Sequence, residues 1–104
     1  MRLVDVANNG QEALDLVKEH SYGLIFMDCS MPIMDGFEAT DCIRRYLRAR
    51  RILQPMIVAS TGHTEEMYVQ KAWRYEMDEV IAKPTDINII HKTMPIKIRI
   101  IHRY

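Results

Sequence analysis

Three polar side chains each stand where an apolar run ends. Asp28 follows Leu24-Ile25-Phe26-Met27, Thr61 follows "MIVAS", and Lys83 follows "EVIA". A carboxylate, a hydroxyl and an ammonium group gathered in one crevice suit phosphoryl chemistry. The carboxylate attacks phosphorus, the hydroxyl bonds a phosphoryl oxygen, and the ammonium neutralises charge. Such a gathering requires the three runs to be strands of one sheet that end at the same edge. An open parallel sheet meets that requirement, because its functional groups collect beyond the carboxyl ends of the strands.

The rest of the chain supplies the elements that such a sheet needs. Leu3 to Ala7 reads as a strand, and Asn8-Asn9-Gly10 as a turn whose residues tolerate positive φ. From Gln11 to His20, Ala13, Leu14 and Val17 fall at helical spacing. Gly23 to Asp28 is a continuous apolar run, the pattern of a strand buried on both faces. "DGFEATDCIRRYLRAR" predicts a second helix with Phe37, Ile43 and Leu47 inward and an arginine-rich side outward. "MIVAS" after Pro55 is another buried strand, Thr64 to Tyr75 a third helix, and Glu79 to Ala82 a short strand. Strands alternating with helices imply a parallel sheet with helices on both faces.

At 104 residues the chain is expected to form one domain. Its formal net charge is zero, which gives no basic field to attract nucleic acid. The apolar runs are too short to span a membrane, so no membrane partner is expected. Cys29 and Cys42 form neither a CxxC pair nor a disulfide framework, and read as reduced thiols of a cytoplasmic protein.

Four blocks, "VDVANNGQEAL", "IFMDCSMPIMDGFEAT", "PMIVASTGH" and "MDEVIAKP", resemble those of a response-regulator receiver domain. The likeness is to receivers of the kind fused to hybrid histidine kinases. It holds in order and spacing over residues 3 to about 90, leaving 91–104 as a divergent segment. It implies a flavodoxin-like (CheY-like) fold and a role in phosphorelay signalling, without enzymatic turnover. By the same resemblance, Asp28 accepts a phosphoryl group from a histidine kinase or a histidine phosphotransfer protein. Thr61 is then the switch hydroxyl, and Lys83 pairs with the acyl phosphate beside a cis Lys83–Pro84 bond. Met31-Pro32 and Asp35-Gly36 shape the following loop, and the Ser30 carbonyl faces a Mg²⁺ ion held with Asp28.

The departures from the family pattern carry their own expectations. Receivers have an acidic pair at the end of their first strand, and only 27 residues precede Asp28 here. The chain opens in what resembles the second strand, Asp5 lies in the wrong block to substitute, and Mg²⁺ binding is expected to be weak or absent. Val80 stands where many receivers have a rotating aromatic residue, and Glu76 replaces a helix-ending glycine. A pseudo-receiver that only binds is therefore the alternative. An aspartate-nucleophile phosphatase of the haloacid-dehalogenase type fits worse, since Ser30 occupies the position of its general acid.

Other conspicuous residues have plainer readings. Asp35 should start a helix beside Gly36, Cys29 should pack, and Met31 and Met34 should fill gaps. His63 reads as structural, and Arg44, Arg45, Arg48, Arg50 and Arg51 as a solvated face. Trp73 and Tyr75 divide between packing and partner contact. For the C-terminus, a final helix from Thr85 broken at Pro95 ranks first. Direct pairing of the strands flanking the vacant first-strand slot ranks second. Insertion of the strand-like "IKIRIIHRY" into that slot ranks last, because it would bury Lys97 and Arg99.

Overall fold

The computed structural model describes residues 4–62, 66–82 and 100–102, and strands alternate with helices along them as far as residue 82. In chain order they are β1 (Val4–Val6), α1 (Gly10–Glu19), β2 (Leu24–Asp28), α2 (Gly36–Ala49), β3 (Met56–Thr61), α3 (Glu66–Arg74), β4 (Glu79–Ala82) and β5 (Ile100–His102). The boundaries follow local chemistry. The Asn9 side chain accepts the Glu12 amide at 2.9 Å and caps α1. Asp35 accepts the Glu38 amide at 2.8 Å and caps α2, the helix-start role expected for it. All of β2 is buried, as its unbroken apolar run requires of a strand covered on both faces.

The strands form one parallel sheet in the order β1-β5-β2-β3-β4. The steps β1→β2, β2→β3 and β3→β4 all run the same way across it. Right-handed crossovers therefore put α1, α2 and α3 on one face. Ile25, Met27, Ile57 and Ala59 meet Ala13, Val17, Phe37, Ile43, Leu47 and Ala72 in a core beneath those helices. Leu24, Phe26 and Val58, of opposite parity in β2 and β3, are also buried. The final helix expected from Thr85 and the break at Pro95 lie outside the described residues.

The centre of the sheet corrects the C-terminal expectation. The possibility ranked last is the one observed: β5 lies between β1 and β2, and the direct pairing of those two does not occur. Val4, Asp5 and Val6 pair with Ile100, Ile101 and His102, while Leu24 and Ile25 pair with Ile100 and Ile101. The objection had been the burial of Lys97 and Arg99. Lys97 and Arg99 lie outside the described residues.

The helix ends show how the chain manages without glycine. Arg51 and Glu76 take φ values of 56° and 65°, the left-handed conformation that ends α2 and α3. The amides of Ile52 and Met77 then return to the Leu47 and Ala72 carbonyls at 3.0 Å each. Glu76 thus fills the capping position despite its side chain. The arginine face is solvated only in part. Arg45 pairs with Asp41, Arg48 with Glu76, and Arg50 lies 3.9 Å from the Tyr46 ring centroid. Arg44 departs from the expectation, being only 6% exposed. Its guanidinium donates to the Glu76 carbonyl (2.7 and 3.0 Å), the Pro55 carbonyl (2.8 Å), Gln54 (3.1 Å) and Asp78 (3.0 Å). Asp78 also accepts the Ile57 amide at 2.7 Å. One cation thereby ties α2 to the entry of β3 and to the turn before β4.

Two measurements test this frame. Replacing Arg44 by Met should cost about 2–3 kcal/mol, because buried carbonyls lose their donors. Arg48→Ala, on the same helix but exposed, should stay within about 0.5 kcal/mol in urea unfolding. Ile101→Pro removes an amide from a central strand and should lower Tm by about 10 °C or more. An unchanged melting curve would remove β5 from the centre of the sheet.

Candidate functional site

Asp28 is the last residue of β2 and is 3% exposed. Its Oδ1 accepts the Ser30 amide at 2.9 Å, so the chain turns around the carboxylate immediately after the strand. The Cys29 amide donates to the Ser60 carbonyl at 3.1 Å and carries the ladder one residue past the strand end. Cys29 itself packs in the core, as expected for it.

The loop 29–35 that leaves Asp28 is held at both ends. The Gly36 amide returns to the Cys29 carbonyl at 3.3 Å, and the Gly10 amide, at the start of α1, donates to the Met34 carbonyl at 3.0 Å. Both glycines are required by close approach. A Cβ at Gly36 would stand 2.2 Å from the Asp28 carbonyl oxygen, and one at Gly10 would stand 2.4 Å from that of Met34. Met31 and Met34 pack partly buried against the core, in the gap-filling role expected of them. Two helix N-termini thus press the loop against the strand edge.

The register decides which hydroxyl shares the face of Asp28. Asp28 is paired with Ser60, and side chains directly opposite in neighbouring strands point the same way, about 4.8 Å apart. Ser60 is 3% exposed. Thr61, chosen from the sequence, is one residue further and by strand alternation belongs to the opposite face, with Ala59 and Ile57. The structure therefore brings Ser60 beside Asp28. The sequence alone shows two adjacent hydroxyls at a strand end and lacks the register that separates them. Thr61 pairs with Ala82, the residue before Lys83. Lys83, the Lys83–Pro84 bond and His63 lie outside the described residues.

Among the described residues, no group of three His, Cys, Asp or Glu side chains could hold a metal ion. The ligands that the resemblance implies, Asp28 and the Ser30 carbonyl, are one carboxylate and one neutral oxygen, and Mg²⁺ fills the rest of its shell with waters and further carboxylates. Asp5 does not add to them. It is buried in β1 and accepts the Tyr22 hydroxyl at 2.6 Å.

Comparison with known proteins agrees with this fold. The chain is 38% identical over 110 residues to hybrid signal transduction histidine kinase B of Dictyostelium discoideum, covering 98% of this chain and 5% of that protein. It is 38% identical over 82 residues to the chemotaxis protein CheY of Halobacterium salinarum, covering 79% of this chain and 64% of that protein. The chain thus spans only a small part of the histidine kinase. Among solved structures, it resembles the co-crystal of the Saccharomyces cerevisiae histidine phosphotransfer protein Ypd1 with the receiver domain of the response regulator Ssk1. That match has 33% identity and a TM-score of 0.71, over 85% of this chain and 66% of that one. The Mg²⁺ complex of the receiver domain of the Arabidopsis thaliana histidine kinase CKI1 matches at 30% identity and a TM-score of 0.64, over 83% of this chain and 70% of that one. The family model described as "Response regulator receiver domain" matches residues 1–94. With the parallel sheet and its buried strand-end aspartate, that match makes the chain a member of the response regulator receiver domain family.

Proposed function

We propose that this receiver takes a phosphoryl group onto Asp28 from a histidine kinase or a histidine phosphotransfer protein. The observation that carries the reading is the buried Asp28 carboxylate at the carboxyl edge of the sheet, in register with Ser60. In the transfer, a carboxylate oxygen bonds to phosphorus as the phosphorus–nitrogen bond of the phosphohistidine breaks. The imidazole leaves and takes up a proton. The Ser30 amide holds the carboxylate in place, the Ser60 hydroxyl bonds a phosphoryl oxygen, and Lys83 supplies the cation. The product is a phosphorylated signalling state without turnover, in a protein that works in the cytoplasm.

A second reading, a receiver that binds partners without being phosphorylated, is favoured by the absence, among the described residues, of three His, Cys, Asp or Glu side chains grouped for a metal ion. Affinity for a hard cation follows the number of charged oxygen ligands. Mg²⁺ is therefore expected to bind more weakly than it does to the CKI1 receiver in the same calorimetric titration.

Acetyl phosphate separates the two readings, with intact mass as the readout. The wild type should gain one phosphoryl group, and Asp28→Asn should gain none. Ser60→Ala should slow labelling roughly tenfold, the scale of one hydrogen bond to a charged group. Thr61→Val should stay within about twofold, because its side chain has the other face. Equal labelling of Asp28→Asn would end the assignment, and an unlabelled wild type would leave the binding-only reading.

A further inference from the structure

At the amino edge of the sheet, away from Asp28, a cleft of about 560 Å³ opens between the ends of α1 and α2. Small-molecule sites span about 300–1,000 Å³ and are mostly apolar and largely formed before the ligand arrives. Val17, Tyr22, Leu47 and Pro55, all buried, line its floor. Ile52 and Leu53 form the outer wall, with Leu53 92% exposed. Three bonds hold that wall in place. The Ile52 amide donates to the Leu47 carbonyl at 3.0 Å, Gln54 Nε2 to the Arg44 carbonyl at 3.1 Å, and the Met56 amide to the Gly23 carbonyl at 2.9 Å. A single exposed leucine is ordinary. On a fixed wall beside a cleft, it gains burial only from whatever fills that cleft.

The mouth of the cleft carries an excess of positive charge. The Lys18 ammonium, from α1, lies 5.6 Å from the centroid of the Tyr46 ring, and the Arg50 guanidinium, just past α2, lies 3.9 Å from it. Tyr46 thus gathers two cations from different helices, and among the described residues neither pairs with a carboxylate. Helix C-termini favour cations, which accounts for basic residues at these two positions. It does not account for their meeting over a cleft with an apolar floor. Glu19 is the one carboxylate among the lining residues, so two cations face one acid, and the excess matches a monoanion.

We propose that this cleft binds a free monocarboxylate with a short aliphatic body. The chain would lie against Val17, Leu47 and Leu53, and the carboxylate would sit at Lys18 and Arg50. The site is at the opposite edge from Asp28 and does not rest on the phosphoryl reading.

The test titrates the full chain with sodium octanoate, 1-octanol and octylamine, reading assigned NMR shifts and calorimetric affinities. Octanoate should give saturable shifts confined to residues 17–23 and 46–55, and should bind more tightly than the alcohol or the amine. Decanoate should bind roughly tenfold more tightly than octanoate, as two further methylenes leave water. Lys18→Gln should weaken octanoate about fivefold, the upper end for an exposed ion pair. Arg45→Gln removes the same charge from outside the cleft and should bind as the wild type does. Leu53→Ser, at a side chain already in water, should keep the wild-type melting curve and weaken octanoate about threefold or more. Octylamine binding as tightly as octanoate, or equal weakening by Lys18→Gln and Arg45→Gln, would overturn the proposal. So would shifts scattered over the whole surface, or none at all. Co-sedimentation with phosphatidylserine vesicles without saturable octanoate shifts would make this face a membrane contact and overturn the free-ligand site.

Discussion

The structure depends on one backbone ladder, the insertion of β5 between β1 and β2. Among the described residues β1 has no strand partner except β5, and β5 joins it to the rest of the sheet. Without an occupant in that slot, the amides and carbonyls facing it on β1 and β2 would need other partners, each costing about 1–3 kcal/mol if buried without one. The occupant's direction is also constrained. Only a parallel strand continues the pattern, and β5 runs parallel to both neighbours. The spatial order is that of flavodoxin-like sheets, 2-1-3-4-5, with the last described strand in the second place.

With the sheet closed, its carboxyl edge becomes a fixed platform. β2 ends in Asp28, β3 continues through Ser60 to Thr61, and β4 stops at Ala82. The Arg44 clasp acts at the other end, tying the entry of β3 to the turn before β4. The ladder between β2 and β3 places Ser60 opposite Asp28. A rigid strand end suits a nucleophile, because the carboxylate is already oriented when phosphorus arrives. The close-approach glycines serve the same purpose from the loop side.

Much of this was legible in the residues. The unbroken run Leu24–Met27 marked a strand buried on both faces, and Asn9 and Asp35 marked helix starts through their capping chemistry. β4 was bounded as the sequence predicted, and the third helix nearly so. What escaped were properties of pairing. Ser60 and Thr61 are adjacent hydroxyls, and only register to Asp28 tells them apart. Arg44 looks like its neighbours on α2, and only the meeting of Pro55, Glu76 and Asp78 around it makes it a buried clasp. The strand-like alternation of "IKIRIIHRY" was visible too. The cost of burying Lys97 and Arg99 ranks insertion last, yet residues 100–102 of that segment form the central strand.

The occupant of the central slot also shows why fold and chemistry separate in this chain. A parallel ladder uses main-chain groups, so nearly any residues can complete the sheet. A metal site uses particular side chains, and β5, Ile100-Ile101-His102, contributes no carboxylate beside Asp28. A strand can therefore complete the topology whether or not its side chains suit a cation. Phosphoryl transfer depends on both, on the sheet to hold the nucleophile and on positive charge to stabilise what forms there. The first requirement is met within the described residues. The proposed function assigns the second to Lys83 and to the Ser30 amide, which already donates to Asp28.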